Sequence, residues 1–201
     1  MRLVCAAAAS ILLVLSFSYG GAAQSTASQI KAINSYCKQI DTIQKQRKTP
    51  ELVYANTADV NSSKDKWRKF ASEKALDKFR EKSEAYDIAY NWRSGGKLIA
   101  SNFTHSSPSG DWVNYVNHCF RADGTVARVE TDYRTFLGDW KVISTRYFNS
   151  AGRQISSSIK YLDLQSGKPK DASEGVMGDA ESRAEYYKNV KKLPFAKLLP
   201  K

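Results

Sequence analysis

A short pattern returns in this chain after 28 residues. Gly110-Asp111-Trp112 reappears as Gly138-Asp139-Trp140, and Phe120 and Gly124 reappear in the same frame as Phe148 and Gly152. One step back, Trp92 and Gly96 hold the places of Phe120 and Gly124. A fixed period this short marks a repeated supersecondary unit, and it constrains the fold more tightly than composition does. Each unit holds two runs rich in Val, Ile, Thr, Tyr and Phe. Its turn tetrads are Arg93-Ser94-Gly95-Gly96, Arg121-Ala122-Asp123-Gly124 and Asn149-Ser150-Ala151-Gly152. A glycine closing such a tetrad readily takes a left-handed backbone, and β-prone flanks make the unit a hairpin. The repeat therefore predicts a meander of about six antiparallel strands from Ile88 to Leu164.

Alternation along these runs assigns faces. Over 125–135 the odd positions are Thr125, Ala127, Val129, Thr131, Tyr133 and Thr135, and the even ones include Arg128, Glu130, Asp132 and Arg134. Phe103, Tyr115, Cys119, Ile143, Tyr147, Ile159 and Tyr161 also fall on odd numbers. Read by parity, one face is mostly apolar and the other polar, as in a sheet covered on one side. On this reading His118 joins the polar face and Cys119 the apolar one.

Before the meander, Ile30, Ile33, Cys37 and Ile40 recur at spacings of three and four, which predicts an amphipathic helix from Thr26 to about Lys48, stopped by Pro50. A short extended piece at Leu52-Val53-Tyr54 follows. Ser62 or Ser63 then caps a second predicted helix whose Trp67, Phe70, Ala71, Ala75, Phe79 and Tyr86 fall along one side. After Leu164, loop-like sequence leads to a third predicted helix from Asp179 to Lys192 and an apolar, basic tail from Leu193 to Lys201. The expected architecture is α+β: two N-terminal helices on one face of a roughly six-stranded antiparallel meander, with a C-terminal helix. The segments are 24–87 (helical), 88–164 (meander) and 165–201 (loop, helix and tail), taken together as a single domain.

The first residues have another purpose. Met1-Arg2, an apolar stretch from Leu3 to Phe17 and the small residues Gly20-Gly21-Ala22-Ala23 have the layout of a secretory signal peptide removed after Ala23. The apolar stretch is shorter than the roughly 20 residues that span a bilayer. Cleavage leaves 178 residues, two cysteines and a net charge of +10, one less than the +11 of the whole chain because Arg2 is lost. Such a chain is expected to be secreted or periplasmic, without a transmembrane segment, and to meet an anionic envelope component or a protein partner rather than nucleic acid. In an oxidising compartment a lone cysteine pair reads as a disulfide, Cys37–Cys119, joining the first helix to the sheet.

Motifs for chemistry are sparse. His105 and His118 lack companions at metal-ligand spacing, no G-x-S-x-G elbow is present, and no cofactor fingerprint occurs. Glu130 and Asp132 read as partners of Arg128 and Arg134 in cross-strand ion pairs. Asn61-Ser62-Ser63 and Asn102-Phe103-Thr104 match the glycosylation sequon. The most suggestive group is Arg128, Arg134, Arg146 and Lys160, from three successive strands, with Ser144, Ser156 and Ser158 among them. On one sheet face they would hold a phosphate, sulfate or sugar carboxylate through charge-assisted hydrogen bonds. The expectation is thus a non-enzymatic binding protein, with no catalytic residues, metal or cofactor assigned. Two other readings stand beside it: a carrier or hydrolase with a pocket lined by Trp67, Phe70, Tyr115 and Tyr133, and a structural subunit of an envelope assembly. Over 92–152 the glycine-closed hairpins resemble the repeats of MORN-like and YD-like secreted β-proteins, a resemblance that implies hairpins and no site residues.

Overall fold

An eight-stranded antiparallel sheet, ordered β2-β1-β3-β4-β5-β6-β7-β8, carries helices and a long C-terminal segment. It is described from a computed structural model covering residues 25–172, 174–183 and 185–200. The stretch 1–23, read as a signal peptide, lies outside these residues. Strands β3 (Asp87–Ser94), β4 (Lys97–Ser106), β5 (Trp112–Phe120), β6 (Val126–Thr135), β7 (Trp140–Phe148) and β8 (Gln154–Asp163) are the meander. β1 (Leu52–Asn56) and β2 (Trp67–Phe70) extend it at the β3 edge.

The 28-residue repeat has a mechanical meaning in this sheet. Register shifts fall at Trp92/Arg93, Cys119/Phe120 and Tyr147/Phe148, so each repeated aromatic sits at a β-bulge just before its turn. A bulge adds a residue to one strand and sharpens local twist. Phe120 and Phe148 are fully buried there. Gly138 shows why glycine closes the other turn type: its φ is +80°, and an added Cβ would lie 2.9 Å from Trp140 Nε1.

Helix α1 (Thr26–Arg47) begins at Ser25, whose hydroxyl accepts from the Ser28 N–H. It buries Ile33, Cys37 and Ile40. The second expected helix forms only in part. Trp67–Phe70 is strand β2, and the helix α2 (Glu73–Arg80) starts ten residues after the proposed cap, at Ser72, whose hydroxyl accepts from the Ala75 N–H. The spacing of three between Trp67 and Phe70 suits a helix face, yet in a strand it sends the two rings to opposite sides. Each finds a core there: Trp67 packs near Phe103 and Phe195, and Phe70 packs on Phe79. The C-terminal helix α3 runs earlier than expected, Glu174–Ser182, and Val190–Lys192 forms a 3₁₀ turn.

The sheet is covered on both faces, which corrects the one-sided expectation. Residues paired across an antiparallel ladder share a face, so the register assigns sides directly. Cys119 pairs with Arg128, Tyr115 with Asp132, and Tyr147 with Arg128. These odd-numbered residues therefore lie with the even-numbered charges of β6. On that face α1 packs over Ala100, Cys119 and Ala127, and α2 over Val53, Ala55 and Ile88. The opposite face carries Phe103, Val116, Phe120, Val129 and Phe148 under Leu193 and Phe195, and Tyr133 and Val142 under Val176 and Ala180. Parity holds within one strand; every turn and bulge between strands is free to reset it. His118 moves accordingly, from the expected polar face to an almost fully buried place stacked on Phe120.

The disulfide Cys37–Cys119 is present, with the two Cα atoms 5.9 Å apart. It joins α1 to β5 as expected, with Cys119 under the helix; what parity misplaced on this face is the β6 charges, since Cys119 pairs with Arg128. Among the described residues no helix is long and apolar enough to cross a membrane.

Candidate functional site

The four basic residues singled out from the sequence do not share a face. Arg128 and Arg134 project on the α1 side. Lys160 joins them, because it pairs with Ile143, which pairs with Asp132. Arg146 pairs with Val129 and Ser157 and lies on the opposite side. Ser156 and Ser158 go with Lys160, and Ser144 goes with Arg146.

Their electrostatic states differ as well. The Arg128 Nη2 donates to Asp41 on α1 at 3.1 Å and contacts Glu130 at 3.0 Å. Arg134 is bound through two nitrogens to Asp132 at 3.0 and 2.7 Å and lies over the Tyr115 ring. Its hydrogen bonds to Asp132 raise its pKa further. The expected ion pairs thus exist, but within β6, between residues i and i+2 on one face, instead of across strands. An arginine already holding one or two carboxylates has little capacity left for an external anion. Lys160 is exposed and Arg146 half-buried, and neither has a carboxylate within salt-bridge distance among the described residues.

Arg146 lines a cleft of about 330 Å³ between β6–β8 and α3. Thr131, Tyr133, Ser144, Ser157 and Tyr161 bring hydroxyls to it, and Val142 and Ala180 give it apolar walls. Thr131 and Ser144 hydroxyls bond to one another at 2.6 Å. The guanidinium reaches Ser144 Oγ at 3.4 Å and rests over the Tyr186 ring, 5.1 Å from its centroid. That stacking holds the group in place while leaving most of its donors free. Ile159 and Met177, both exposed, add apolar surface to the cleft lining.

A second cleft, of about 420 Å³, opens under the C-terminal half of α1. Asp41, Gln44 and Lys45 come from the helix, and Trp92, Asn102, Asn117, Arg128 and Glu130 from four strands. Asn102 Nδ2 donates to Asn117 Oδ1, so this sequon asparagine is engaged in the sheet. Burial raises the Glu130 pKa, opposed by Arg128 and reinforced by Asp41. Glutamate, two asparagines and a tryptophan from different strands had no common signal in the sequence; only the register gathers them.

The pocket imagined between helices and sheet is not formed by its four named residues. Trp67 and Tyr133 belong to different clusters on one face, while Phe70 and Tyr115 lie on the other. Among the described residues no group of three or more His, Cys, Asp or Glu is placed to hold a metal ion. No family model matches the chain, and no curated protein or solved structure is significantly similar to it.

Proposed function

We propose that this chain is a non-enzymatic binding protein that takes a small anion, a carboxylate or phosphate monoester, on Arg146. The observation that carries the reading is the state of that side chain. It is a half-buried guanidinium among hydroxyls, stacked on Tyr186, with no carboxylate partner among the described residues. Such a group gains a charge-assisted hydrogen bond when an anion enters, and the surrounding hydroxyls complete the coordination without adding charge. The exposed Ile159 and Met177 favour an anion with an apolar portion. The wider expectation of a four-residue basic face contracts to this single residue.

The setting we infer is secreted or periplasmic. The disulfide and the signal-peptide-like start support it, and the net charge of +10 left once Arg2 is lost suits an anionic partner there. Calorimetric titration with hexanoate and with phenyl phosphate at fixed ionic strength tests the site. Arg146→Ala should weaken binding roughly tenfold to a hundredfold, the worth of about 1.5–3 kcal/mol for a hydrogen bond to a charged group. Arg134→Ala, which removes a cation already paired, should leave it unchanged. Equal binding by the Arg146→Ala protein and the wild type refutes the assignment.

A further inference from the structure

The cleft under α1 has a different chemistry from the Arg146 cleft. Its ionised side chains cancel: Asp41 and Glu130 against Arg128 and Lys45. Arg128 is spent on the two carboxylates, its side chain only 10 % exposed, whereas the Asp41 and Glu130 side chains are 43 % and 41 % exposed. Both contact the same Nη2, so they sit close together and present acceptor oxygens side by side. A ligand satisfying them needs neighbouring donors. Next to them the Asn102–Asn117 pair uses one donor and one acceptor internally, which leaves the Asn102 carbonyl and the Asn117 amide for a ligand. Gln44 adds another amide at the rim, and Trp92 gives an aromatic wall whose indole N–H is buried without a partner. At about 420 Å³ the cleft falls in the lower part of the usual ligand range of about 300–1,000 Å³.

Adjacent hydroxyls, each both donor and acceptor, match these two neighbouring carboxylates and the amides beside them. An ion of either sign would meet a cancelling charge, and an alkyl ligand would leave the polar wall unsatisfied. A peptide backbone offers one donor and one acceptor per residue, too far apart to serve both carboxylates at once. The geometry points to a binding site for an uncharged saccharide of one or two rings, held by Asp41, Glu130, Asn102 and Asn117 against Trp92.

The test uses the full mature chain, disulfide intact, in ¹H–¹⁵N NMR titrations. The probes are a panel of neutral mono- and disaccharides built from glucose, galactose, mannose and N-acetylglucosamine. Digalacturonate and a blocked trialanine serve as acidic and peptide comparators. At least one neutral sugar should shift resonances of Trp92, Asn102 and Asn117 saturably. Asn117→Ala and Gln44→Ala, both checked for an unchanged spectrum elsewhere, should weaken that binding at least fivefold. Arg146→Ala should not alter it, which separates this site from the anion cleft. The assignment is overturned if no neutral sugar in the panel shifts these resonances, if only digalacturonate or the peptide does, or if both cleft variants bind as the wild type.

Discussion

His118 is the residue whose environment departs furthest from what its neighbours in sequence imply. Parity carried over from β6 assigns it to the polar face, yet it is 2 % exposed and stacked on Phe120, with Nε2 accepting from the Tyr187 N–H. Burial pushes its pKa down to about 4. The unfolded chain, with a histidine near 6.5, therefore binds a proton that the folded protein refuses. Stability is unaffected above about pH 6.5 and falls as the pH drops from there toward 4, by about 3 kcal/mol over the full interval. Urea unfolding at pH 7 and pH 4.5 should show this loss, and His118→Gln should remove most of the difference. An equal pH dependence in the variant would mean that other groups carry it. The same residue marks a limit of sequence reading, since one histidine carries no sign of which face it will join.

At the scale of elements, α1 is fixed to the sheet at three levels along its length. Tyr36 donates its hydroxyl to the Phe120 carbonyl at 2.8 Å, Cys37 is bonded to Cys119, and Asp41 meets Arg128. The helix itself was legible: its stripe, its start after Ser25 and its stop before Pro50 agree with the structure to within a residue. The disulfide was legible too: of the three cysteines, Cys5 falls in the stretch read as a signal peptide, which leaves Cys37 and Cys119 to one another on the expectation of an oxidising compartment. That Arg128, Glu130 and Asp132 share the helix-covered face with Cys119 was not, because the face assignment came from parity across bulges. A cross-link closing 82 residues stabilises by about 4–5 kcal/mol in the chain-entropy account. Replacing both cysteines with alanine should lower unfolding stability by about that amount. Hydrogen exchange should also rise first over Thr26–Arg47, with the meander amides protected for longer. Uniform loss of protection across helix and sheet would contradict this order.

For the whole molecule, the C-terminal segment decides whether the second sheet face is a core or a surface. Phe195 is fully buried, stacked on Tyr54 at 4.4 Å between centroids, and the Tyr54 hydroxyl donates to the Leu198 carbonyl at 3.1 Å. Backbone bonds from Val126 N–H to the Lys188 carbonyl and from Val190 N–H to the Gly124 carbonyl tie the segment to the β5–β6 turn. The tail, apolar and basic with two prolines, closes over a sheet face. Phe195→Ala should cost about 3–5 kcal/mol, the range for deleting a buried ring, measured as a shift of the urea midpoint. A cost under 1 kcal/mol would show that the segment is dispensable for the core.

Local chemistry alone determined the hairpins, their turn glycines, the first helix and the cysteine pair, because each depends on residues a few positions apart or on a count. Which side of the sheet each strand presents depended on bulges and turns that reset alternation, and these take effect only when strands pair. That pairing moved Arg146 away from Arg128, Arg134 and Lys160, and it brought Asp41, Asn102, Asn117 and Glu130 to one cleft. The sites belong to the tertiary structure for that reason: their members are distant in sequence, and no local pattern records the register that joins them.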